Sequence, residues 1–128
     1  MSTSKQIDYI ESLAYKLSGL NSKYAEDVAG RDHMNLNNAG VDEVLASLKG
    51  QIAANEEAGR AIGDTVTVRY TWKDGAVTTV TGVISRYSKW ADGKPASVRL
   101  YRIDSESAAR AGDMAMNLNL ARTEWDAR

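Results

Sequence analysis

Apolar residues recur at helical spacing through the first part of the chain and alternate with polar ones through the second. Ile7, Ile10, Leu13, Ala14 and Leu17 form one stripe of period 3.6. Thr3 and Gln6 precede it at capping-box spacing, and Ser18-Gly19 closes it, because glycine takes the left-handed C-terminal position at no steric cost. A helix is therefore predicted over residues 4–18. Asn21 or Ser22 caps a second, shorter helix with Tyr24, Ala25 and Val28 on its inner face and Gly30 at its end. The Asn-rich stretch 35–38 supplies a loop and a new cap. Val41, Val44, Leu45, Leu48 and Ile52 then line the buried face of a third helix, with Asp42 and Glu43 in its first turn and its end within residues 53–59. Gly50 weakens this helix without interrupting its stripe.

From Thr65 the period becomes 2. Val66, Val68, Tyr70 and Trp72 alternate with Thr65, Thr67, Arg69 and Thr71, predicting a half-buried strand with the first set inward. Lys73-Asp74-Gly75 is a hairpin turn signal, followed by a Val- and Thr-rich return strand over residues 76–87. Gly82 within it marks a bulge or bend, by which one long strand would serve two sides of a barrel. Asp92-Gly93 marks a second turn, and Pro95, the sole proline, opens a strand over 96–103. A short helical turn over 105–112 and a last strand over 116–122, with Leu118 and Leu120 inward, complete the pattern.

The expected fold class is α+β: an N-terminal unit of two or three helices followed by a small, twisted antiparallel barrel or sheet. The order of strands, tight turns, short helix and final strand resembles SH3-like and Sm-like small barrels, a pattern that hosts many functions. The division falls at a helical module of residues 1–60 and a β module of residues 61–128. About 60 residues make a marginal barrel alone, so the helices are expected to pack on it as one compact unit.

Thr3-Ser4-Lys5-Gln6-Ile7-Asp8-Tyr9-Ile10-Glu11-Ser12-Leu13 resembles the T-x-K-Q-x-x-Y-I-x-x-L start of small helical modules in phage and actinobacterial proteins. Residues 36–49, from Leu36 to Lys49, are similar to the second helix of such modules. The likeness covers about residues 3–49 and departs from the pattern in its longer middle, residues 21–34. It implies provenance more than chemistry, namely a phage or mobile-element accessory protein.

Composition narrows the chemistry. With 43% hydrophobic and 26% charged residues and a net charge of −1, the 128-residue chain reads as a folded protein rather than a disordered tail or a strongly basic nucleic-acid binder. The absence of cysteine removes disulfides and thiol nucleophiles. His33, the single histidine, follows Asp32 in an expected loop or helix end, with no nucleophile or metal-ligand motif around it. Glu56 and Glu57 are adjacent, so on a helix they point about 100° apart and cannot share one proton. Gly93-Lys94-Pro95 lacks the upstream glycine and following hydroxyl of a P-loop. No enzymatic activity and no cofactor or metal are expected. No apolar run reaches the roughly 20 residues of a membrane span, and the first residues do not read as a signal peptide, so the expected setting is cytoplasmic.

Arg86, Tyr87, Lys89, Trp90, Lys94 and Arg99, with Tyr101 and Arg102 on the neighbouring strand, interleave cations and rings as a single-strand binding surface does. Residues 1–60 carry 6 Lys/Arg against 9 Asp/Glu, and residues 61–128 carry 10 against 8, a small asymmetry that points the same way. The plainer account makes Tyr87, Trp90 and Tyr101 cross-strand pairs of the core. Tyr9, Tyr15 and Tyr24 are candidates for a protein interface, or else the rim of the helical core. Trp125, near the C-terminal end, docks either on its own sheet or on a second subunit of a homodimer. The expected function is thus that of a non-catalytic accessory protein binding single-stranded nucleic acid. The alternative is contact inhibition of a host or antiviral defence protein.

Overall fold

The computed structural model describes residues 2–103 and 115–125, so the helical turn expected at 105–112 lies outside the described residues. Helix α1 spans Ser4–Ser18 and begins with the expected capping box. Thr3 Oγ1 accepts from Gln6 N–H at 3.2 Å, and Gln6 Oε1 accepts from Thr3 N–H at 2.9 Å. Gly19 ends it in the left-handed region, donating its N–H to Tyr15 O. The second helical segment is a 3-10 turn, Ser22–Tyr24, running into α2, Ala25–Ala29, with Gly30 as the C-terminal cap. Ala25 and Val28 face inward as the pattern predicts, but Tyr24 is exposed. Tyr24 sits at the junction of the two short segments, where the ring has turned off the buried face.

Helix α3, Asn38–Ala58, is capped by Asn37, whose Oδ1 accepts from Gly40 N–H at 2.8 Å. It starts earlier than expected, so Asp42 and Glu43 lie beyond its first turn, and Glu43 instead pairs with Arg31 at 2.6 Å. The two long helices and α2 enclose one hydrophobic cluster centred on Ile10, Leu17, Val28, Val41, Val44 and Leu48. His33, expected as a plain loop residue, is buried beside this cluster, with Nε2 3.2 Å from Glu11 Oε1. Among the described residues no helix is long and apolar enough to cross a membrane.

Strands β1 (Thr65–Thr71), β2 (Val77–Ser88), β3 (Ser97–Arg102), β4 (Ala115–Asn119) and β5 (Thr123–Trp125) form one antiparallel sheet in the order β4-β3-β2-β1-β5. A 3-10 turn, Leu120–Arg122, separates β4 from β5, so the single last strand expected at 116–122 is two short ones with a corner between them. The sheet is open, with β4 and β5 at opposite edges, and the closed barrel anticipated as one possibility is not formed. The α+β class holds.

Strand β2 pairs with β1 through its first half and with β3 through its second. The register shift falls between Ile84 and Arg86, not at Gly82. Gly82 serves a different need: a Cβ there would stand 2.6 Å from Tyr101 O, so only glycine admits the close approach of β3. Val66, Val68, Tyr70, Val80, Ile84, Tyr87, Val98, Leu100 and Leu118 form the hydrophobic core of the sheet. Trp72 departs from the predicted alternation. It lies just past β1 and is 41% exposed, because the chain turns there: Trp72 O accepts from Gly75 N–H and Trp72 N–H donates to Ala76 O.

The helical layer meets the sheet at the second half of β2 and the turn that follows. A Cβ on Gly19 would stand 2.5 Å from Ser85 O, and one on Gly30 would stand 2.8 Å from Gly93 N. Gln51 Nε2 donates to Gly93 O at 3.1 Å, pinning the same turn to α3.

Candidate nucleic-acid interface

The bulge at Ser85 sorts the basic and aromatic residues of β2 onto opposite faces. Without it, alternation from Val80 and Ile84 would send position 86 inward and 87 outward. With one extra residue inserted, Tyr87 joins the core and Arg86 comes to the outer face opposite Arg99. Tyr87 is buried, and its hydroxyl donates to Arg60 O. Burial pushes its phenol well above the ordinary value, with the Asp64 charge adding to the rise and Arg60 opposing it.

Trp90 is half-buried where the two hydrophobic clusters meet, and its indole N–H donates to Tyr87 O at 3.2 Å. The two rings expected to stack with bases are therefore structural in large part. Lys89 and Lys94 are exposed, but the turn at Ala91–Lys94, docked on α2 and α3, carries Lys94 toward the helical layer. The anticipated cluster of six is divided, and Arg86 with Arg99 is the pair that remains together.

That pair is unusual. Arg86 and Arg99 are cross-strand partners, a placement in which like charges repel. Among the described residues neither guanidinium has a carboxylate partner, and the Nε of each is buried without a hydrogen bond. The close approach of Gly19 to Arg86 Cα and Cβ accounts for the covered stem of Arg86. Arg99 lies over the Tyr101 ring, 5.4 Å from its centroid, and Tyr101 is 40% exposed. Ile103 follows on the same face, exposed, while Val83 stands directly across from Tyr101. Tyr101 thus takes the place expected of Tyr87. The sequence signal was present in the inward Val98 and Leu100, whose alternation sends Arg99 and Tyr101 outward together.

The remaining candidates lie elsewhere. Tyr9, Tyr15 and Tyr24 are exposed, with Lys49 over Tyr9 at 5.3 Å and Lys23 over Tyr24 at 4.8 Å. Tyr9 and Tyr15 are six positions apart on α1, about 120° around its axis, so they do not present one patch. Trp125 packs against the core of its own sheet, under Arg60 at 4.8 Å. Among the described residues no cluster of three or more metal-ligating side chains is assembled. No family model, curated protein or solved structure matches this chain.

Proposed function

We propose that this protein binds single-stranded nucleic acid, without catalysing a reaction on it, through the outer face of β2 and β3. The observation that carries the reading is the opposed, carboxylate-free pair Arg86 and Arg99. Two guanidiniums held side by side at a cost to the fold are well suited to clamp phosphates, which arginine accepts in bidentate fashion. Tyr101 supplies a ring beside them for a base, and Asn117, opposite Arg99 on β4, supplies an amide. The accessory role in a phage or mobile element and the cytoplasmic setting belong to the same proposal. The accessory role rests on the resemblance of residues 3–49, and the cytoplasmic setting draws on the lack, among the described residues, of a helix long and apolar enough to cross a membrane.

The test is fluorescence anisotropy with labelled single-stranded oligonucleotides across a salt series. Binding by the wild type should weaken steeply with salt, because each phosphate contact on a single strand contributes about −0.7 to the log–log slope. Arg86→Gln with Arg99→Gln should weaken binding and make the slope shallower by roughly 1.4, two such contacts. A wild type that shows no binding at low salt, or a double variant with an unchanged slope, overturns the reading.

A second reading, contact inhibition of a host or defence protein, is favoured by the exposed rings of Tyr9, Tyr15 and Tyr24 on the helical layer. It expects a complex that survives moderate salt and is weakened by Tyr15→Ala, whose ring is 59% exposed.

A further inference from the structure

We infer that a second contact point for the same ligand class lies in the cleft between the end of β1 and the β4–β5 corner, where a base stacks on Trp72 and cations hold the adjoining phosphates. The inference rests on the proposed nucleic-acid reading but uses none of its residues on β2 or β3. The cleft is lined by Tyr70, Trp72, Lys73 and Asp74 from the end of β1 and its turn, and by Asn119 and Arg122 from the β4–β5 corner. It continues past Tyr70 toward Lys89, Ser97 and Asn117.

Four observations converge there. Trp72 is 41% exposed yet fixed: its indole N–H donates to Thr78 Oγ1 at 2.9 Å, and its ring meets Tyr70 edge-on, with centroids 4.9 Å apart and planes at 83°. A ring held in place before the ligand arrives loses little entropy on stacking, and a tryptophan face accepts any base. Tyr70 is only 8% exposed, and its hydroxyl has no hydrogen-bond partner among the described residues although the ring lines both parts of the cleft. The ring is nearly buried while its hydroxyl opens to the cleft, where it can donate to or accept from a ligand.

Asn119 uses its Oδ1 to accept from Ala121 N–H at 2.9 Å, which leaves its amide donors to the cleft. Finally, Lys73, Lys89 and Arg122 reach the lining without a carboxylate partner among the described residues. Of the carboxylates, Asp74 lines the cleft and keeps its charge, while Glu124 is ion-paired away from it. Asp74 Oδ1 accepts from Ala76 N–H within the turn, and Glu124, at the far end, is paired with Arg69 at 3.0 Å. Lys73 and Arg122 outnumber Asp74 in the lining, and Lys89 stands beyond them, so the net charge is positive and favours an anionic ligand, while the exposed ring favours one with a planar apolar face.

Asn117 ties this cleft to the proposed face, since it lines the Lys89 end and is also the cross-strand partner of Arg99.

The experiment compares a labelled deoxythymidine oligonucleotide with an abasic deoxyribose-phosphate strand of equal length and charge, using wild type, Trp72→Leu, Lys73→Gln with Arg122→Gln, and Arg86→Gln with Arg99→Gln. Trp72→Leu should weaken the oligonucleotide on the order of tenfold and leave the abasic strand unchanged, because only bases stack. The Lys73/Arg122 variant should weaken both. Circular dichroism and thermal melting establish that each variant is folded. Should Trp72→Leu bind the oligonucleotide as the wild type does while the Arg86/Arg99 variant is impaired, the cleft inference fails and the outer-face reading stands. Loss in Trp72→Leu with none in the Arg86/Arg99 variant would fail the outer face and keep the cleft. Binding of a polyglutamate peptide to the cleft, abolished in Trp72→Leu, with no oligonucleotide binding by any form, would assign it to an acidic protein segment and overturn the inference.

Discussion

Trp90 donates its indole N–H to the backbone carbonyl of Tyr87, three residues upstream, while its ring packs against both hydrophobic clusters. Among the described residues, no other side chain is shared by the two clusters. Trp90→Ala is therefore a stability variant before it is a binding variant. It should cost about 3 kcal/mol in urea denaturation, the lower part of the range for truncating a large core aromatic because the ring is only half-buried. The two layers should also melt less cooperatively, read as separation of the far-ultraviolet and tryptophan-fluorescence transitions. Oligonucleotide affinity of the folded protein should change by less than about twofold, a marginal difference in free energy.

Tyr87 makes the fold sensitive to alkali. Its phenol is raised on folding, chiefly by burial, so the neutral form is the one the native state prefers. The unfolded chain releases this proton near the ordinary phenol value of about 10, and the native state releases it only higher. The stabilisation is complete below that value and is lost as pH climbs from it toward the native one, at up to about 1.4 kcal/mol per pH unit. Tyr87→Phe should lower stability at neutral pH by about 1 kcal/mol, through loss of the bond to Arg60 O, and should flatten the alkaline decline. An equally steep decline in the variant would show that other groups govern it.

Glycines at three positions should respond in opposite directions to the same added methyl. Gly50 lies inside α3 with nothing near its notional Cβ, so Gly50→Ala should stabilise by about 0.8 kcal/mol through helix propensity. Gly19 is left-handed and presses on Ser85 O, and Gly82 presses on Tyr101 O. Alanine at either site should cost roughly 2 kcal/mol or more, since strain and a backbone clash add. Thermal melting of the three variants checks the ordering.

The His33–Glu11 contact ties the loop before α3 back to α1. His33 is buried and, among the described residues, its Nδ1 has no partner while Nε2 meets Glu11. Ser2 reinforces the same junction by donating its hydroxyl to His33 O at 2.8 Å. Glu11→Ala should leave both ring nitrogens unpaired in a buried site and cost about 1–3 kcal/mol. Glu11→Gln retains an acceptor and should cost less than half as much. Equal losses in guanidinium denaturation would mean that the carboxylate charge, not the hydrogen bond, holds the loop.

Local chemistry was enough to place α1, α3 and the first three strands, because each is specified within a few residues. Thr3 and Gln6 cap α1 reciprocally, Asn37 caps α3, and Lys73-Asp74-Gly75 and Asp92-Gly93 turn the hairpins where their sequences allow positive φ. The inward sets Ile10–Ala14–Leu17 and Val66–Val68–Tyr70 were equally legible, since burial follows the period of the element. Trp72 was misread because alternation continues in sequence after the strand has ended in space.

The faces of Arg86 and Tyr87 were decided by tertiary structure. A bulge leaves little trace in a Val- and Thr-rich strand, and Gly82 drew attention three residues too early. Close approach of the α1 terminus at Gly19 and pairing with β3 fix the extra residue at Ser85, and that one insertion exchanges which of two adjacent side chains meets solvent. Likewise the Tyr70–Trp72–Arg122 cleft joins residues about fifty positions apart, brought together only when β5 pairs with β1. Periodicity reports what each segment buries. Which exposed residues become neighbours depends on register between distant strands, a contact no single segment encodes.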